Sequence, residues 1–240
     1  MEPVTVRTED GLALQGEIRC PDGAARGSAM ICHPHPREGG SKDHPLLWAV
    51  RNDLVSRALV VLSFNFRGVM GSEGSYGGGV DEVKDVRAAV GFVREQTDGP
   101  TFMCGWSFGA NVALREAMQD ERAAALALIG LPLGETGAQL PPLGDRVGLR
   151  SFDLPVLLLA GEADPFCPVP ELRSLGRRLG RATVHIVRQT DHFFWHRERE
   201  AARLVGDFAE AALFGEGPRS RSPEGSPGAG RAQPGDGGGA

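Results

Sequence analysis

Cysteine is scarce in this chain, with four residues in 240, at positions 20, 32, 104 and 167. None stands in a C-x-x-C pair, which argues against both a thiolate metal site and a secreted disulfide framework and leaves buried thiols as the reading. Long apolar runs are missing too. Those around 123–131 and 156–160 fall well short of the roughly 20 residues that a membrane-spanning helix requires. The opening MEPVTVRTEDG has neither a basic n-region nor an apolar h-region, so a cytoplasmic protein with no membrane partner is expected. No basic stripe is present, and 26 Lys and Arg against 31 Asp and Glu leave a net charge of −5. Phosphate binding needs a clustered basic face, so nucleic acid is not the expected partner. There is no internal repeat at a period of 20–50 residues, which excludes a solenoid.

What is present fits an ordinary globule, with 41% hydrophobic and 24% charged residues. A chain of this length buries roughly 70 to 75% of its unfolded surface, enough for one large domain. That domain is expected to span 1–214 and to be followed by a disordered tail at 215–240. The tail GEGPRSRSPEGSPGAGRAQPGDGGGA holds nine Gly and four Pro in 26 positions and no aromatic or β-branched residue, too little apolar surface to offset its ordering entropy.

Short β-rich runs alternate with longer amphipathic stretches, the pattern of a mostly parallel sheet with helices on both faces. Eight strands are expected, at Val4–Arg7, Leu12–Arg19, Ser28–Cys32, Val60–Asn65, Thr101–Gly105, Ala125–Gly130, Val156–Ala160 and Thr183–Val187. The first two read as a hairpin across Glu9-Asp10-Gly11. Inner runs such as VVLSF and VLLLA are apolar without alternation, as strands covered on both faces should be. Helices are expected at Leu46–Ala58, Asp81–Thr97, Phe108–Asp120, Glu171–Leu179 and Arg197–Phe214. In the second, Val83, Val86, Val90 and Val93 form one face, with charges opposite. Leu131–Leu154, about two dozen residues rich in Pro and Gly, is too short for a helical lid domain.

The strongest chemical signal is Gly105-Trp106-Ser107-Phe108-Gly109, a G-x-S-x-G between the strand TFMC and the helical pattern ANVALREAM. That context makes a nucleophile elbow, in which Ser sits on a strained strand-to-helix turn. Serine needs a histidine base and a carboxylate to orient it, in the chain order Ser, acid, His. His192 follows the eighth strand, whereas His185 lies inside it and His196 opens the last helix. After the seventh strand, Gly161-Glu162-Ala163-Asp164-Pro165 supplies the acid: Asp164, with its turn set by Pro165, and Glu162 as the fallback.

The Phe108 N–H is one expected oxyanion donor. The second should follow the third strand, in His33-Pro34-His35-Pro36, where the prolines have no N–H and the His35 backbone is best placed. A metal reading of His33, His35 and His44 lacks the carboxylates of a metallohydrolase. A phosphate-cradling reading of GVMGSEGSYGGG lacks Lys-Ser/Thr at the helix start. Arg67, in Phe64-Asn65-Phe66-Arg67-Gly68, is expected to tie loops together.

Together, H-P-H-P…G-G, F-N-x-R-G, G-x-S-x-G, then Asp and His resemble the small lidless bacterial hydrolases of the α/β-hydrolase fold that are related to dienelactone hydrolase. The resemblance covers about residues 2–214 and implies a Ser107, Asp164, His192 triad acting on small esters or thioesters with no metal or organic cofactor. Two residues depart from the pattern: Met70 stands where glycine is usual, and His44 where asparagine is common. Dienelactone hydrolases proper use cysteine as nucleophile. Ser107 points away from that substrate, and Cys104, inside the strand, cannot replace it. The same triad could serve amide, peptide or carbon–carbon bond hydrolysis, or the scaffold could be a non-catalytic binding module.

Overall fold

The computed structural model describes residues 1–137, 139–143 and 152–215. Strands run over Glu2–Arg7 (β1), Ala13–Arg19 (β2), Gly27–Cys32 (β3), Leu59–Phe64 (β4), Thr101–Trp106 (β5), Ala125–Ile129 (β6), Val156–Gly161 (β7) and Ala182–Val187 (β8). Helices cover Pro45–Ser56 (α1), Glu82–Arg94 (α2), Phe108–Ala117 (α3), a single turn at Gly134–Gly137 (α4), Val169–Arg178 (α5) and Glu198–Phe214 (α6). One sheet results, in the order β1-β2-β4-β3-β5-β6-β7-β8. β1 and β2 pair antiparallel as the expected hairpin, β2 pairs antiparallel with β4, and every later pair is parallel.

Strands β3 to β7 are buried along their whole length, and successive residues enter opposite cores because side chains alternate across a pleated strand. In β3, Ala29 and Ile31 face the core under α1 and α6, while Met30 and Cys32 face that under α2, α3 and α5. This three-layer α/β-hydrolase arrangement carries no separate lid domain among the described residues. Between β6 and β7 the described chain forms only the turn α4; residue 138 and residues 144–151 of the expected segment lie outside the described residues.

The expected elements are present and differ at their ends by a few residues. α3 stops at Ala117 rather than Asp120, since Gln119 bonds back to Glu116 in a tightened last turn. His196 does not open α6: it lies in the turn ahead of Glu198, at φ 63°. On α2 the four valines are buried, but the charges are not all opposite them. Glu82 and Asp85 are fully buried, because Glu82 accepts the N–H groups of Gly77 and Gly79 and Asp85 accepts Arg67. Gly215, counted with the tail in the sequence, is the left-handed cap of α6; 216–240 lie outside the described residues. Among the described residues no helix is long and apolar enough to cross a membrane.

Candidate active site

Ser107 stands at the end of β5 with φ 56° and ψ −121°, a conformation that costs a non-glycine residue about 1–3 kcal/mol. The surroundings enforce it. The Ser107 N–H extends the sheet to the Ile129 carbonyl at 2.8 Å, while the Ser107 carbonyl already accepts Ala110 and Asn111 in the first turn of α3. The chain therefore leaves the sheet and enters the helix within one residue. The flanking glycines make room: a Cβ on Gly105 would strike the Gly109 carbonyl, and one on Gly109 would strike the carbonyls of Cys32 and His33.

Two loops beyond the parallel strands bring the acid and the base together. Asp164 Oδ2 accepts Nδ1–H of His192 at 2.8 Å, and both side chains are buried. The other carboxylate oxygen accepts the backbone N–H of Phe166 at 2.9 Å and of Cys167 at 3.1 Å, which fixes the carboxylate plane. With its proton held on Nδ1, His192 offers Nε2 as a free acceptor. No hydrogen bond to the Ser107 hydroxyl is formed among the described residues. Glu162 is exposed and turns elsewhere, accepting the Gln189 N–H at 3.1 Å. His185 stays in β8.

The segment after β3 lies against the start of α3. The His35 ring meets the Phe108 ring edge-on at 5.2 Å. Among the described residues, neither the His35 N–H nor the Phe108 N–H is taken by another backbone group, which leaves both able to donate. His33, two residues before His35, is a brace. It donates from Nδ1 to the Pro34 carbonyl at 2.7 Å and accepts the Phe66 N–H on Nε2 at 3.0 Å. Burial holds its pKa down to about 4. His35 accepts the Arg37 N–H on Nδ1, so its neutral ring donates from Nε2 to the Tyr76 hydroxyl at 3.1 Å. His44 caps α1 by accepting the Leu46 N–H. The three histidines thus serve different turns, and no cluster of metal-ligating side chains occurs among the described residues.

Arg67 ties loops as expected, donating to Asp85 at 2.7 Å and to Asp10 at 3.0 Å; both partners hold its pKa up against burial. Asn65 joins the same frame by accepting the Lys42 N–H and donating to Gln15. Cys104 is buried in β5, where burial alone pushes its thiol up to about 12, so it is no nucleophile at neutral pH.

Residues 29–213 match the family model described as alpha/beta hydrolase domain. The chain belongs to that family. Its relatives include the uncharacterized protein RP471 of Rickettsia prowazekii (strain Madrid E), 27% identical over 188 residues that cover 75% of this chain and 77% of that one. A solved alpha-beta serine hydrolase homologue from Coxiella burnetii is 26% identical, with a TM-score of 0.74, covering 85% of this chain and 95% of the other. XC6422 from Xanthomonas campestris, described as a serine hydrolase without lid, is also 26% identical, with a TM-score of 0.75 over 89% and 95% of the two chains.

Within the hydrolase scaffold three residues without a signal of their own in the sequence shape the site. Trp106, the first variable residue of G-x-S-x-G, donates from Nε1 to the His192 carbonyl at 3.2 Å and so tethers the histidine loop. Gly130, at φ 53°, lies against the acid–base pair: a Cβ there would stand 3.0 Å from the His192 ring and 3.1 Å from Asp164 Oδ2. Tyr76, in the glycine-rich loop, holds the His35 ring. The partners of Trp106 and Gly130 lie across the sheet, which is why neighbouring residues do not disclose them.

Proposed function

We propose that this protein is a cytoplasmic serine hydrolase that cleaves small esters or thioesters through an acyl-enzyme. Ser107 attacks the carbonyl while His192 removes its proton; the imidazolium that forms is stabilised by Asp164. The tetrahedral oxyanion is held by the N–H groups of Phe108 and His35, aided by the positive end of α3. His192 then returns its proton to the leaving oxygen or sulfur. Water, activated by the same histidine, cleaves the acyl-enzyme and regenerates Ser107. The observation that carries this reading is the buried 2.8 Å contact between Asp164 and His192, together with the strained turn at Ser107 between β5 and α3. That the described residues include no lid domain supports a modest substrate, since they offer little apolar surface for a long acyl chain.

A fluorophosphonate probe tests the assignment. The full chain is expected to be modified at Ser107, and Ser107→Ala to stay unlabelled and lose ester turnover by several orders of magnitude with an unchanged fold. A wild-type protein that resists the probe and releases no alcohol from short 4-nitrophenyl esters would be a scaffold without catalysis. Turnover of anilides but not esters would reassign the reaction to amides.

A further inference from the structure

Large apolar side chains are exposed at seven described positions, and three of them meet at one place. Phe166, Phe193 and Trp195 are 38%, 42% and 51% exposed. Phe166 stands edge-on to the His192 ring at 4.8 Å, and Phe193 stands edge-on to the same ring at 5.6 Å. Trp195 stacks on Phe193 at 6.3 Å with the planes 21° apart. Single exposed apolar residues are ordinary, whereas rings linked through the His192 ring and through one another form a patch of the kind that marks a binding surface. The backbone holds the patch open. Phe194 and His196 take φ of 56° and 63°, values that bulky side chains rarely adopt. Phe194 accordingly turns into the core under α1 and α6, while the rings on either side of it stay outside.

The place of the patch assigns its occupant. In the proposed reaction the carbonyl oxygen lies with the N–H groups of Phe108 and His35, and the leaving oxygen must lie within reach of His192 Nε2 to receive its proton. Whatever touches the rings around His192 is therefore the alcohol half of the ester, not the acyl half. We propose that Phe166, Phe193 and Trp195 form the subsite for the leaving alcohol, and that the enzyme favours esters of aromatic or bulky apolar alcohols. This inference rests on the roles given above to Ser107 and His192. The contact is exposed to solvent on one side, so it tunes affinity and leaves the chemical step to the triad.

The test uses the full chain and three substrates: methyl acetate, benzyl acetate, which adds a ring on the alcohol side at similar leaving-group strength, and methyl phenylacetate, which adds it on the acyl side. Wild-type kcat/KM is expected to be about tenfold higher for benzyl than for methyl acetate, mostly through KM, as one aromatic contact would give. Methyl phenylacetate should show no such preference. Trp195→Ser should reduce the benzyl-to-methyl ratio to nearly one, and Trp195→Phe should restore most of it. Trp48→Ala, an exposed aromatic outside the patch, should leave the ratio as in wild type. A preference on the acyl side, or a ratio unmoved by Trp195→Ser at unchanged melting temperature, overturns the proposal. So does a wild-type dimer that Trp195→Ser dissociates, since the patch would then be covered by a second copy. Absence of both fluorophosphonate labelling and turnover of any of the three esters would instead mark failure of the hydrolase reading itself.

Discussion

Asp164 has both oxygens occupied, one by the backbone of its own turn and one by His192. An amide at this position would present an N–H₂ to a ring nitrogen that must itself donate, favouring the wrong tautomer. Asp164→Asn is therefore expected to keep the fold and lower kcat on the order of 10⁴-fold, and Glu162→Gln to be nearly silent; steady-state kinetics on a short ester decide between the two carboxylates. His33 gives a different kind of prediction. Its pKa falls from 6.5 to about 4 on burial, so the folded state requires the neutral ring. The stability that this provides is complete above pH 6.5 and is lost as the pH falls toward 4. Urea melts at pH 7.5 and pH 5 should show a loss of about 2 kcal/mol from this residue. His33→Gln, which keeps a donor and an acceptor but does not titrate, should flatten that dependence. Equal slopes in the two proteins would remove His33 from the account.

Loops that follow different strands are locked to one another. The Ala163 N–H reaches the Thr190 carbonyl, the Glu162 N–H reaches that of Val187, and Trp106 of β5 holds the carbonyl of His192. The loop after β6 adds Gly130, whose missing side chain leaves space for the acid–base pair. A methyl group there would face both a positive φ and the paired His192 and Asp164 side chains. Gly130→Ala is accordingly expected to lower kcat about 10²-fold, since a displacement near 1 Å carries that penalty, and to lower the melting temperature as well. Normal kcat in this variant would show that the pair tolerates displacement. A similar close fit holds α2 in place, where buried Glu82 and Asp85 secure the glycine-rich loop and Arg67.

For the whole molecule, the two faces of the sheet depend on different parts of the chain. The α1 and α6 face is closed by Ala201, Val205 and Ala209, with Leu204, Phe208 and Leu213 packed beside them, and by Arg57 bonding across to Asp207 and Glu210. A chain ending before Arg203 loses most of this and should be destabilised by several kcal/mol, at roughly 1.5–3 kcal/mol per large apolar side chain buried. A chain ending at Gly215 retains the helix and its cap. With no large apolar side chain in the remaining Gly, Pro and Ser-rich sequence to dock, that truncation is expected to leave kcat/KM and the melting temperature unchanged. Thermal melts and ester assays on both truncations provide the check, and a clear drop for the longer one would mean that the tail contributes to the fold.

Most of the architecture was legible in the chain because strands buried on both faces are uninterrupted apolar runs and helices repeat near every 3.6 residues, both local properties. The elbow was legible for the same reason, since strand, G-x-S-x-G and helix are consecutive. Chain order pointed to Asp164 and His192, but it could not bring them together: they are 28 residues apart and meet only because β7 and β8 are parallel neighbours with their loops at one end. Buried Glu82 and Asp85 read as solvated charges because their partners, Gly77, Gly79 and Arg67, lie in a loop without periodicity. The same holds for the exposed rings of Phe193 and Trp195. Phe193, Phe194 and Trp195 are three consecutive aromatics that the sequence does not distinguish, and only the packing of Phe194 beneath α1 and α6 determines that its two neighbours face outward. Sequence determines which segments are apolar and where the chain turns; which polar groups become neighbours is decided by strand order, because a hydrogen bond depends on distances of about 3 Å that no local pattern encodes.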